Sequence, residues 1–320
     1  MRNFIALMRS GAVVVSLFAC SPVLALDKMK VAVGQRGGWP TSIPEIAQKY
    51  GFFAKQGLDV EVLYTNGGGE TMQPVLAGAI DVGVAVGTSA AMGVFQKGAP
   101  VRIIGNQTTG ASDIVWYVAA NSPIKAFRDF DGRSLSYSTS GSSSHILAQA
   151  LTAHFNIKPK LVPTGDMAGT LTQVLSGQVD IGWLAPPVGL EPAQTGRTRI
   201  IGNAGVVPVY KDQTVRVQVV NAAILTAKKE LITRYLRAYR DVVDWMYTDD
   251  PAMWKAFVEV TTFAEPLWRQ TRDDFYPKSS IHPDTISGLD GVMADGVAFK
   301  LMSAPLTPAQ LKELIVGVER

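Results

Sequence analysis

The chain has 320 residues, 47% of them hydrophobic and 18% charged. That is more than one compact core normally holds, so two lobes of roughly 100–200 residues are expected, and disorder is excluded. One cysteine rules out a disulfide framework, a Cys-based zinc site and an iron–sulfur cluster, and three histidines without an H-E-x-x-H pattern leave little room for a His-rich metal centre.

Arg2 and Arg9 precede an uncharged run over residues 10–26 with a small-residue exit at Val23-Leu24-Ala25. A basic start, a short apolar centre and such an exit predict a secretory signal peptide over residues 1–25. The run is shorter than the roughly 20 residues a membrane-spanning helix needs. Leu17-Phe18-Ala19-Cys20 resembles a bacterial lipobox, which makes a lipid anchor at Cys20 the alternative. Phe18 is uncommon there, however, and Ser21-Pro22 is not the usual polar tether. Cleavage after Ala25 leaves a mature chain without cysteine, with 28 basic against 27 acidic residues. A net charge of +1 gives no case for nucleic-acid binding.

After the leader, a first strand runs into Gln35-Arg36-Gly37-Gly38-Trp39-Pro40-Thr41-Ser42, and a helix opens at Ile43-Pro44. Thr65-Asn66-Gly67-Gly68-Gly69-Glu70 is glycine-rich but lacks dinucleotide spacing, and reads as a plain turn. Helix 70–77, strand 80–84, helix 89–96 and strand 101–105 follow. This pattern then recurs. Thr71-Met-Gln-Pro-Val-Leu-Ala-Gly-Ala-Ile-Asp-Val-Gly83 aligns with Thr170-Leu-Thr-Gln-Val-Leu-Ser-Gly-Gln-Val-Asp-Ile-Gly182, 99 residues on, and Arg102-Ile-Ile-Gly-Asn106 returns verbatim as Arg199-Ile-Ile-Gly-Asn203, 97 residues on. So long a period is not a solenoid but two lobes of similar build. Gly78 and Gly177 stand where helices end. Strands apolar throughout, alternating with short helices, predict α/β lobes with parallel sheets covered on both faces.

Lobe I thus occupies 26–112, and lobe II 113–214. The chain returns to lobe I over 215–320, through an apolar strand at 215–226 and an amphipathic helix at 230–247 bearing Leu231, Tyr235, Val242 and Met246. Asp250-Pro251 opens a further helix, and Thr307-Pro308-Ala309-Gln310 is a capping box for the last. Two crossings between lobes define a hinge.

No sequence signal identifies a catalytic residue. There is no Walker-type phosphate loop, and neither Ser89 nor Ser140 lies in a nucleophile elbow. Ser142-Ser143-Ser144-His145 reads as a capped helix start, not a Ser–His pair, because no orienting acid is in sight. His154 and His282 read as structural or exposed. Ligand capture has better candidates. In open α/β lobes the strand ends and following helix N-termini form the ligand edge, where free N–H groups, the helix dipole and Ser/Thr hydroxyls gather. Four such edges present Arg36, Trp39, Thr88, Ser89, Ser140, Ser142, Ser143 and Trp183, and Asn221 at the second crossing completes the set. Arg36 offers a planar fork for a carboxylate, sulfonate or phosphate, and the two tryptophans offer apolar walls.

The motif Ile46-Ala-Gln-Lys-Tyr-Gly-Phe-Phe-Ala-Lys-Gln-Gly-Leu-Asp-Val-Glu-Val62, with Leu76-Ala-Gly-Ala-Ile-Asp-Val-Gly83, Ser122-Pro-Ile-Lys125, Asp131-Gly-Arg-Ser134 and Gly141-Ser-Ser-Ser144, resembles a known family across nearly all of the mature chain. It is similar to the periplasmic substrate-binding proteins of nitrate/sulfonate/taurine-type ABC importers and their thiamine-pyrimidine-related cousins. The resemblance implies a two-lobed periplasmic-binding-protein (Venus flytrap, type II) fold with a hinge and a C-terminal helical block. It implies a monomer without cofactor or metal that captures a small, anionic organic ligand and delivers it to an inner-membrane permease. The alternative is a secreted enzyme of the pyrimidine-synthase-like branch. That branch carries a cysteine-rich motif and a catalytic histidine, and this sequence has no cysteine after Cys20. Regulators of similar fold carry a helix-turn-helix, for which there is no room before Val31.

Overall fold

In a computed structural model, residues 25–317 are described. The leader, apart from Ala25, and Cys20 with it lie outside the described residues. The first half of the chain contributes β1 (Asp27–Gly34), β2 (Leu58–Thr65), β3 (Val82–Gly87) and β4 (Val101–Thr109). The second contributes β5 (Val115–Ala119), β6 (Ser134–Tyr137), β7 (Lys160–Pro163), β8 (Gly182–Leu184) and β9 (Thr198–Asn203), before β10 (Thr214–Asn221). The first sheet has the order β2-β1-β3-β10-β4. In the second, β8-β5-β9 is joined to β6-β7 by the bridge between Leu135 and Ile181, with Ser136 N donating to Ile181 O at 2.9 Å.

The second assembly therefore runs β7-β6-β8-β5-β9 and repeats the first strand for strand. The duplicated sequence supplies the reasons. Asp81 Oδ2 accepts from Lys30 N at 2.8 Å, and its counterpart Asp180 Oδ2 accepts from Ser134 N at 2.8 Å. Each carboxylate pins the neighbouring strand. Thr71 Oγ1 meets Thr65 Oγ1 at 2.8 Å, and Thr170 Oγ1 meets Thr164 Oγ1 at 2.6 Å, closing the same strand-to-helix corner twice.

Only part of the expected parallel pairing is present. β1 runs parallel to β2 and β3, and β6 to β7, but β5 is antiparallel to β8 and β9, and β10 is antiparallel to β3 and β4. The antiparallel strands are the ones that follow the crossings. Each enters the opposite sheet against the direction of its own strands, and both faces stay covered, so the apolar runs do not reveal the difference. The apolar stretch 215–226 is also not one strand. Asn221 Oδ1 accepts from Ala223 N at 2.9 Å and starts the helix Ala222–Ala227.

The C-terminal helices return to the first sheet. Helix Lys229–Met246 buries Ile232, Tyr235, Leu236, Tyr239, Val242 and Met246 at helical spacing, whereas Leu231 is only partly buried. Helix Leu289–Ala298 packs Val292 and Met293 on the opposite face of the sheet, with Met92, Ile103 and Val217. A separate core, with Trp116, Phe130, Leu147 and Ile181 in it, serves the second sheet.

Candidate functional site

Strand ends of both sheets converge on a narrow, partly open cavity of about 40 Å³. Gly34 and Gln35 border it from β1, Gly67 and Gly68 from the glycine-rich turn, and Gln107 and Arg216 from β4 and β10. The other half contributes Asp113 and Ile114 ahead of β5, Ser138 and Ser142–Ser144 at the start of helix Ser143–Phe155, and Trp183 from β8. Tyr276 of the C-terminal block closes one side. A cavity this size holds little more than water, since an apolar cavity for a benzene-sized molecule is about 150 Å³.

An arginine stands at the centre. Arg216 is 6% exposed and pairs through Nη2 with Asp113 Oδ2, itself 2% exposed. Its Nε donates to Gln107 Oε1 at 3.1 Å and its Nη1 to Ser143 Oγ at 3.3 Å, so one side chain ties β10 to the helix start of the other half. Tyr276 Oη donates to Asp113 Oδ2 at 3.0 Å. Burial, reinforced by the charge of Asp113, pushes the Tyr276 phenol well above its ordinary range and keeps it a donor. Ser142 Oγ caps helix Ser143–Phe155 by accepting from His145 N at 3.2 Å. The Ser142–His145 cluster is therefore a cap, as its spacing predicts. His145 stacks on Tyr137 with ring centroids 4.3 Å apart, and burial lowers its pKa.

The halves meet through glycine. An added Cβ at Gly67 would lie 2.6 Å from Thr139 Oγ1, and one at Gly87 would lie 2.7 Å from the Gly141 carbonyl oxygen. At Gly69 it would collide with the Ser140 carbonyl oxygen. The run 66–69, expected to be a plain turn, is thus the face on which the other half of the molecule rests.

Of the residues expected at the site, Ser142, Ser143 and Trp183 line the cavity together. Thr88 and Ser89 lie behind it, around a space of about 10 Å³ that shares Ser143, where Ser89 Oγ donates to Val292 O at 3.2 Å. The Ser140 side chain is exposed and only its carbonyl faces Gly69. Three expectations are corrected in position. Trp39 is fully buried in an aromatic core, stacked on Phe257 at 4.1 Å with its Nε1 donating to Tyr247 Oη at 3.2 Å, and forms no wall of the cavity. Arg36 is 64% exposed, paired with Glu45 at 2.8 Å and lying over the Tyr64 ring; it borders an outer groove, not the cavity. Asn221 caps helix Ala222–Ala227 and donates through Nδ2 to Leu76 O at 2.9 Å, at the far end of β10 and roughly 17 Å of strand from Arg216.

Sequence reasoning missed Arg216, Asp113, Gln107 and Tyr276. One signal was available: Arg216 and Gln218 alternate with valines in a strand that is buried along its whole length. A charge in such a strand must be paired or face a cavity. Among the described residues no three His, Cys, Asp or Glu side chains cluster as metal ligands, and no helix is long and apolar enough to cross a membrane.

Comparison with known proteins agrees with this architecture. The alkanesulfonate-binding protein SsuA of Xanthomonas axonopodis pv. citri, bound to MOPS, superposes with a TM-score of 0.76 over 91% of this chain and 98% of its own, at 14% identity. The periplasmic nitrate-binding protein NrtA of Synechocystis PCC 6803 superposes with a TM-score of 0.58 over 80% and 69%, at 17% identity. The molecule has the two-lobed periplasmic-binding-protein fold with a helical C-terminal region. The family model described as NMT1/THI5 like matches residues 43–252, and the chain belongs to that family. A curated relative, the 4-amino-5-hydroxymethyl-2-methylpyrimidine phosphate synthase THI13 of Saccharomyces cerevisiae, is 21% identical over 227 residues, which are 67% of this chain and 65% of that protein's length.

Proposed function

We propose that this protein is the extracytoplasmic solute-binding component of an ABC importer, closing its two lobes on a small organic molecule and presenting it to a permease. The observation that carries this reading is the cavity itself: a buried ion pair, four serines and a tryptophan, drawn from both lobes and gathered where their strand ends meet. Polar groups buried at such a junction of strand ends favour capture of a small ligand. Sulfonate- and nitrate-binding neighbours of the same fold, and a leader that predicts export, support it. At 40 Å³ the cavity admits an organic molecule only if the lobes part, so binding must couple to a hinge motion.

The synthase relative favours a second reading, an enzyme on the same scaffold. Against it, His145, His154 and His282 all lie outside the cavity lining, and the only cysteine is Cys20. Calorimetry with a panel of sulfonates, carboxylates, amides and pyrimidines tests the proposal. Saturable binding without turnover is expected, and sustained conversion of any bound compound would sink it.

A further inference from the structure

Within that solute-binding reading, we infer that the solute is not an anion but a neutral or zwitterionic molecule carrying a hydrogen-bond donor beside an acceptor, as carboxamides, ureas, lactams and amino acids do. The sole buried cation lining the cavity is Arg216, and its charge is already matched: Asp113 is its partner, and both are more than nine-tenths buried. The side chains lining the cavity therefore carry no net positive charge with which to hold an anion.

The unpaired atoms state what is wanted instead. Asp113 Oδ2 accepts from both Arg216 and Tyr276, while Asp113 Oδ1 has no partner. Gln107 Oε1 accepts from Arg216 Nε and from Thr108 Oγ1 at 2.8 Å, which fixes the orientation of the amide and leaves Nε2 unpaired. Trp183 Nε1 is also unpaired. All three residues border the same cavity and are at most 2% exposed. A buried carboxylate oxygen needs a donor, and two buried N–H groups need acceptors. A simple anion would answer the N–H groups but bring like charge against Asp113 Oδ1, whereas an adjacent donor and acceptor answer both.

The test splits a small-molecule cell extract on a strong anion exchanger at pH 7 and follows thermal unfolding of the whole protein in each fraction. The unretained fraction, holding neutral compounds and zwitterions, should raise Tm by roughly 3 °C or more, and the retained anions should leave it unchanged. Stabilisation by the anionic fraction alone overturns the inference and leaves the solute-binding reading standing. Stabilisation by neither fraction removes that reading, and the inference with it. Asp113→Asn should transfer stabilisation to the anionic fraction; a folded variant that keeps the wild-type preference counts against the inference. Gln107→Glu keeps an acceptor for Arg216 but lacks the amide donor. It should weaken binding from the neutral fraction at least tenfold, and unchanged binding overturns the donor role of Gln107.

Discussion

At the scale of single residues the decisive one is Arg216. Its pairing with Asp113 replaces hydration that neither group has in the closed molecule, so removing one partner strands the other. Arg216→Ala or Asp113→Ala should each cost about 3–5 kcal/mol in urea unfolding, and Arg216→Met with Asp113→Leu should recover most of that loss. Equal, additive losses in the double variant would mean the pair contributes nothing as a pair. Arg36 should behave differently, because its ion pair with Glu45 is solvent-exposed. Arg36→Ala should change stability by less than about 1 kcal/mol and should leave solute affinity within about twofold of wild type, as titration of the two proteins would show. Asp295 supplies a pH signature. Burial raises its pKa, the nearby Tyr210 hydroxyl works the other way, and Oδ2 is unpaired. A raised carboxyl pKa gives stability that is fully present below the unfolded value and is lost as pH rises through the folded one. Asp295→Asn should therefore be more stable than wild type at pH 7, with the gap narrowing towards pH 4 in thermal melts. A pH-independent gap would contradict this.

The glycine contacts between the lobes belong to the scale of elements. Gly69 sits in the first turn of helix Gly68–Leu76, and Gly87 has φ −61°, so alanine suits the local backbone at both. In the helix it is even favoured by up to about 1 kcal/mol. What forbids a Cβ is the other lobe, at the Ser140 and Gly141 carbonyls. Gly69→Ala and Gly87→Ala should hold the lobes apart, lowering solute affinity at least tenfold without lowering Tm. Gly68→Ala is the contrast, because its Cβ would lie 2.5 Å from Ala85 O within the same lobe and should lower Tm itself. Much at this scale was legible in the sequence. Gly78 and Gly177 end their helices at φ 71° and 74°, and Asp250, Ser142 and Thr307 cap theirs. All of these act within one turn of chain, where residue type alone dictates geometry. The true end of β10 at Asn221 was not legible, because valines, alanines and leucine on either side of it suit a buried strand and a short helix equally well.

The whole molecule is two copies of one sheet plan joined by two crossings, residues 110–114 between β4 and β5 and residues 204–213 between β9 and β10. Few residues link the lobes covalently, so closure should be a hinge rotation. Small-angle scattering should show a smaller radius of gyration with the stabilising extract fraction than without it, and an unchanged radius would argue against closure. The duplication itself was determined by the sequence alone, since repeated Asp81/Asp180 and Thr71/Thr170 carry out the same local task in each copy. The α/β class and most helix ends were determined there too. Only the tertiary structure decided that Trp39 is core, that the glycine run is an interface, and that the cavity's cation is Arg216 and not Arg36. The reason is distance along the chain. Arg216 meets Asp113 across 103 residues and Tyr276 meets Asp113 across 163. A charge reveals whether it is solvated, paired or offered to a ligand only when the partners brought to it by folding are known.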